Sequence, residues 1–168
     1  LRIMLGEMKT TVIPFDEIMD AVKVGKVDAG LIIHEGQLTW ESEGLHLVAD
    51  LGEMWAERTG GLPLPLGGNV VRRDLGKEEC KLVTEHVKIS IQNAISNPEE
   101  GLAFAIEWGR GIDEETNEEF VQMYVNERTI DYGPEGRKSV RLFLKEGQRI
   151  GMIREDLDVD ALEFIGAE

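Results

Sequence analysis

Residues 11 to 33 constrain the fold more than any other stretch of the chain. Val27–Ile33 (VDAGLII) is a largely apolar run bounded by turn signals. Before it, Phe15, Ile18, Met19 and Val22 fall at the i, i+3, i+4, i+7 spacing of one helical face, with Asp16 placed as N-cap and Gly25 as the stop. "TTVIP" (Thr10–Pro14), ahead of that helix, is a short run rich in β-formers. Strand, helix and strand in so short a span favour a parallel pair and so predict an α/β fold. The carboxyl ends of strands hold the chemistry in such folds, and this strand ends on His34, Glu35 and Gly36.

The remainder reads outward from that unit. "LRIMLGEMK" at the start has the look of the end of a helix. "LHLVADL" (Leu45–Leu51) is a further strand candidate, and "GEMWAERTGG" a short helix stopped by two glycines. Pro63 and Pro65 alternate with leucines and bar a central strand before Leu66. Gly67 and Gly68 permit a bend, and Asn69–Arg73 can continue as a strand in a different sheet, so Leu62–Asn69 reads as a crossing between lobes. Helices follow. Lys77–Ser96 carries an apolar stripe of Cys80, Val83, Val87, Ile91 and Ala94. "NPEE" restarts a helix with Asn97 as cap, Pro98 at the first position and Glu100 closing a capping box. Asp113 caps a third helix through Val125, "GPEGRKSVRLFLKEGQRIG" is a fourth, and the tail after Met152 is acidic and without pattern.

Charge and residue types limit the chemistry. With 33 acidic and 18 basic residues the formal charge is −15, and no block of Lys and Arg makes a local exception. Such a field repels phosphate backbones and anionic lipid, so neither nucleic acid nor a membrane is an expected partner. No apolar run approaches the ~20 residues of a membrane helix. The single cysteine, Cys80, cannot form an internal disulfide, which fits a reducing cytoplasm but equally many exported bacterial proteins; on the stripe of a long helix it reads as a buried structural thiol. His34, His46 and His86 have no ligand spacing, and Leu38 stands where a zinc-protease helix needs its second histidine, so no metal is expected. Gly60, Gly61, Gly67 and Gly68 are not followed by Gly-Lys-Ser/Thr, so no phosphate loop is expected either. His86 reads as a solvated-face residue and His46 as an outward-pointing one. His34 admits two readings: a strand-end ring bonded to backbone, or a general base held by a rigid scaffold at the mouth of a cleft.

"VDAGLIIHEGQLTW", followed by "LVADLGEMWAERTGGLPLPLGGNVVRRDLG", resembles the 1,4-dihydroxy-6-naphthoate synthases of the futalosine route to menaquinone, which act on cyclic dehypoxanthine futalosine. "PFDEIMDAV", "NPEEGLAFAIEWG" and "YVNERTIDYGPEGRKSVRLF" extend the resemblance over essentially the whole chain. It implies a two-lobe fold like the type II periplasmic binding proteins, lacking here the amino-terminal half. Residues 1–66 then belong to the second α/β lobe, and residues 67–168 to the return crossing and a mainly helical part packing on the first lobe. It places the family's histidine base at His34, with a small-molecule substrate, no metal and no organic cofactor. Further substrate contacts fall in the missing half and are unassigned. The implied reaction is a carbon–carbon fragmentation that expels a spiro-fused sugar and aromatises the ring, with His34 taking the proton. Glu35, on the opposite face if the strand continues, is left a structural role. A non-catalytic binding protein of the same fold and the related chorismate dehydratase are the competing readings.

Overall fold

The computed structural model describes residues 1–108 and 114–166. In chain order its helices are α1 (Arg2–Leu5), α2 (Ile18–Lys23), α3 (Gly36–Thr39), α4 (Leu51–Thr59), α5 (Lys77–Ser96), α6 (Pro98–Trp108), α7 (Glu114–Tyr124), α8 (Glu127–Ile130) and α9 (Gly133–Arg149). Short 3-10 turns at Phe15–Glu17 and Arg73–Leu75 precede α2 and α5. None of these helices is long and apolar enough to cross a membrane.

The expected α/β, periplasmic-binding-protein-like architecture is not what the chain forms. Among the described residues there is no β-strand. Thr10–Pro14, Val27–Ile33 and Leu45–Asp50 run without regular secondary structure, as do residues 69–72, while Leu51 opens α4. The reason is physical: a strand exists through the ladder bonds that a neighbouring strand supplies, and a run that finds no partner keeps its composition without becoming a strand. Val12 is fully exposed, Val48 83% exposed and Val70 97% exposed, so these β-prone side chains face water.

The helical readings fare better. α5 covers the expected Lys77–Ser96, and α9 covers most of the fourth expected helix. α4 ends before Gly60 and Gly61, which sit at φ +74 and +102. Gly25 (φ +70) follows α2 and donates its amide to the Val22 carbonyl. Asp16 is not the cap expected of it; it lies inside the 3-10 turn, and Glu17 stands at the N-cap of α2. Asn97 uses its side-chain amide on the Asn93 carbonyl, closing the end of α5. Pro98 opens α6 as expected, and a capping box forms at Asn126 and Thr129, ahead of α8. The cap expected of Asp113 lies outside the described residues.

The chain divides into two compact units. The first comprises Leu1–Glu7, Leu51–Pro98 and Val125–Glu168. Its core gathers Trp55 of α4, Leu62, Cys80 of α5 and Val159, with Gly136, Ser139 and Gly147 forming the buried line of α9. The Trp55 ring meets Phe143 edge-on at 5.5 Å between centroids. Small residues let α9 be approached closely: a Cβ on Gly147 would stand 2.8 Å from Ile153 Cδ1. The tail without sequence pattern is held by α9. Arg141 donates to the Leu162 carbonyl (2.9 Å) and stacks over the Phe164 ring (4.9 Å), and Lys145 pairs with Asp160 (2.7 Å).

The second unit comprises Met8–Asp50 and Glu99–Tyr124. Here the apolar face of residues 15–22 does what its spacing implies and covers the following segment. A Cβ on Gly30 would overlap the Ile18 side chain, and one on Gly36 would stand 2.5 Å from Met19 Sδ. Lys23, at the end of α2, pairs with Glu43 beyond α3 and with Asp20. Of the described residues in this unit, Ala21 and Gly36 are buried.

Candidate active site

His34 sits where the segment from Val27 turns into α3. The Gln37 amide bonds to the His34 carbonyl and the Leu38 amide to that of Glu35, both at 2.9 Å, so the chain is already winding into a helical turn at this point. That winding removes the strand alternation which would have sent Glu35 to the opposite face. Glu35 Oε2 instead lies 3.9 Å from His34 Nδ1, with both side chains mostly buried.

The imidazole is held on several sides. Gly36 N–H donates to Nδ1 at 3.0 Å. The Phe15 ring lies tilted, its centroid 5.7 Å from that of His34. A Cβ on Gly36 would be 2.7 Å from His34 Cε1, so glycine at position 36 is what lets ring, backbone and the Met19 thioether share the space. Nε2 is buried and without a hydrogen-bond partner among the described residues. One residue past Gly36, Gln37 donates to the Tyr124 hydroxyl at 2.9 Å, tying α3 to the end of α7. The Lys23–Glu43 pair spans the turn; a hydrogen bond to Glu43, and secondarily one to Asp20, holds the Lys23 ammonium above its ordinary pKa.

The other sequence candidates are placed elsewhere. His46 is exposed. His86, on α5, is exposed and bonds through Nδ1 to the Leu82 carbonyl one turn back, at 2.8 Å. Cys80 is buried and directs its thiol to the Arg72 carbonyl at 3.4 Å. No group of three or more His, Cys, Asp or Glu residues is placed to hold a metal ion among the described residues. What sequence reasoning missed is that Phe15, Glu35 and Gly36 all contact the His34 ring. The only sequence signal for the Gly36 contact is a glycine two residues after a histidine, which does not reveal a backbone donor aimed at a ring.

An imidazole bonded at one nitrogen by a backbone amide and buried at the other has its ring orientation fixed by the fold. Residues 1–149 match the family described as Menaquinone biosynthesis. The chain is 40% identical, over 95% of its length, to a 1,4-dihydroxy-6-naphthoate synthase of Streptomyces coelicolor. It is also 40% identical, over 82% of its length, to one of Thermus thermophilus. It spans 56% and 50% of those two proteins, so about half the length of each. Among solved structures it resembles protein AF1704 from Archaeoglobus fulgidus, with a TM-score of 0.79 and 40% identity over 84% of this chain and 53% of that one. On the extent of these matches, the chain belongs to the menaquinone biosynthesis family.

Proposed function

We propose that this chain carries part or all of a 1,4-dihydroxy-6-naphthoate synthase, a carbon–carbon lyase of the futalosine route that acts in the cytoplasm on cyclic dehypoxanthine futalosine. The observation that carries the reading is the 40% identity, over nearly all of this chain, to a relative bearing that name. His34 is the proton-transfer residue of the proposal. Its support is local: the ring is fixed by the Gly36 amide and flanked by Phe15. Aromatisation of the product supplies much of the driving force, so the protein's task is to orient the leaving fragment and move a proton. The expected division of the chain between Leu66 and Gly67 belongs to the same proposal. The space where a Cβ on Gly67 would stand is open, while its carbonyl accepts from the Tyr132 hydroxyl at 3.2 Å.

The test is to express the chain with its complete coding sequence and supply cyclic dehypoxanthine futalosine. Release of the dihydroxynaphthoate is the expected result, and His34→Ala should lower turnover by the ~100- to 10,000-fold typical of a lost acid–base group. Tight binding of the substrate without turnover would replace the lyase with a binding protein. Turnover undiminished in folded His34→Ala protein would remove His34 from the chemistry.

A further inference from the structure

The two ring nitrogens of His34 are unequally served. Nδ1 faces the Gly36 amide at 3.0 Å. A backbone N–H can only donate, so Nδ1 is an acceptor there, and in a neutral imidazole the proton must then reside on Nε2. That Nε2–H is buried and meets no acceptor among the described residues. Buried donors are nearly always paired, and one that is not asks for a reason. Its surroundings supply none: the flanking Phe15 ring offers no strong acceptor, and the Glu35 carboxyl approaches the other nitrogen, at 3.9 Å from Nδ1.

We propose that His34 meets its ligand as an Nε2–H hydrogen-bond donor to a carbonyl oxygen, and that Gly36 is the positioning residue that sets this tautomer. The inference rests on the reading of His34 as the reactive residue of the synthase and names the state in which that residue begins. Two features favour a neutral carbonyl over a carboxylate as the acceptor. The Glu35 carboxyl already lies beside the ring, and the chain carries a formal charge of −15, so a second carboxyl group is electrostatically disfavoured at that point. A pinned N–H directed at a carbonyl stabilises negative charge developing on its oxygen, which is how preorganised donors lower a barrier. Nε2 in this state has no lone pair with which to take a proton, so a base role follows only once its proton has passed to the carbonyl oxygen it meets, which becomes the hydroxyl of an enol as Nε2 regains its lone pair. Gly36 acts twice, through its amide on Nδ1 and through its missing Cβ, which would stand 2.7 Å from Cε1.

Long-range proton–nitrogen correlation spectra of the histidine-labelled chain, at a pH where the ring is neutral, read the tautomer directly. Comparison with His34→Gln assigns the His34 signals against those of His46 and His86. The expected pattern is protonated Nε2 with bare Nδ1, and Gly36→Ala should weaken that preference. Protonated Nδ1, or an even mixture in the wild type, would overturn the proposal. The second arm is kinetic and uses the complete coding sequence. Glutamine can place an amide N–H near the Nε2 position but cannot act as a base at neutral pH. Loss of a single preorganised donor costs about 100- to 1,000-fold in turnover, and His34→Gln should recover about tenfold of the loss seen in His34→Ala. Equal loss in the two folded variants would overturn the donor role while leaving the lyase reading standing. A wild-type protein without lyase activity would defeat the lyase reading, and the spectra would still decide the tautomer.

Discussion

Trp55 and Ser139 show what single residues contribute to this molecule. Both side chains are fully buried, and Ser139 Oγ accepts from Trp55 Nε1–H at 2.8 Å while donating to the Pro63 carbonyl at 2.6 Å. One hydroxyl thus satisfies a donor on α4 and an acceptor in the proline-rich segment. Replacing Ser139 by alanine strands both, and each buried group left unpaired costs roughly 1–3 kcal/mol. We expect Ser139→Ala to lower the urea midpoint accordingly without changing the slope of the transition; an unmoved midpoint would mean that Trp55 and Pro63 find other partners. Nothing in the sequence pairs these residues, which lie 84 positions apart. Ser139 reads there as one more polar position in a charged helix. Cys80 is the opposite case, because its place on an apolar stripe already implied the buried thiol that is found.

At the scale of the element, α9 was legible over most of its length, and its start is tied down by charge. Asp131 accepts from Gly133 N–H at 2.6 Å and from Arg137 Nη1 at 2.7 Å. The Gly133 bond first, and Arg137 after it, hold the Asp131 carboxyl below its ordinary range against the opposing effect of burial. A carboxyl lowered in the folded state contributes stability above its unfolded value, near pH 4, and that contribution is lost as pH falls through the folded value. Glu146 is shifted in the same direction, chiefly by Arg149 and also by Arg58. The melting temperature of the wild type should therefore fall more steeply than that of Asp131→Asn between about pH 5 and pH 2. Parallel curves for the two proteins would assign the acid sensitivity elsewhere. α5 is instructive in another way: its stripe was read correctly as apolar, yet Val83 and Val87 remain exposed. Periodicity marks the face that can be buried, and only a neighbour buries it.

For the molecule as a whole, the departure from the expected architecture has a measurable consequence. Ile33 is 61% exposed, and Leu47, Val48 and Val70 are exposed with it in the segments that composition marks as strands, as is Leu66 in the expected crossing. Apolar surface of this kind binds hydrophobic dyes and promotes association. The 168-residue chain should enhance the fluorescence of an anilinonaphthalene dye under native conditions and self-associate with rising concentration in sedimentation velocity. A strictly monomeric chain that leaves the dye dark would show that these side chains are covered in solution.

Local patterns decided local outcomes. The spacing of Phe15, Ile18, Met19 and Val22, the stop at Gly25, the extents of α5 and α9 and the burial of Cys80 follow from periodicity, backbone freedom and hydrophobicity, all of which act over a few residues. The motif around His34 likewise singled out the residue on which the candidate site is built. What sequence could not decide was everything that needs a partner distant along the chain. Whether Val27–Ile33 becomes a strand depends on a neighbour offering ladder bonds, and none is formed among the described residues. The acidic tail, patternless as a string, is held because Arg141, Lys145 and Gln148 of α9 reach its carbonyls and Asp160. The protonation pattern of His34 is tertiary in the same sense: it depends on the turn that aims Gly36 N–H at Nδ1 and on the packing that buries Nε2, and a residue's type does not contain its surroundings.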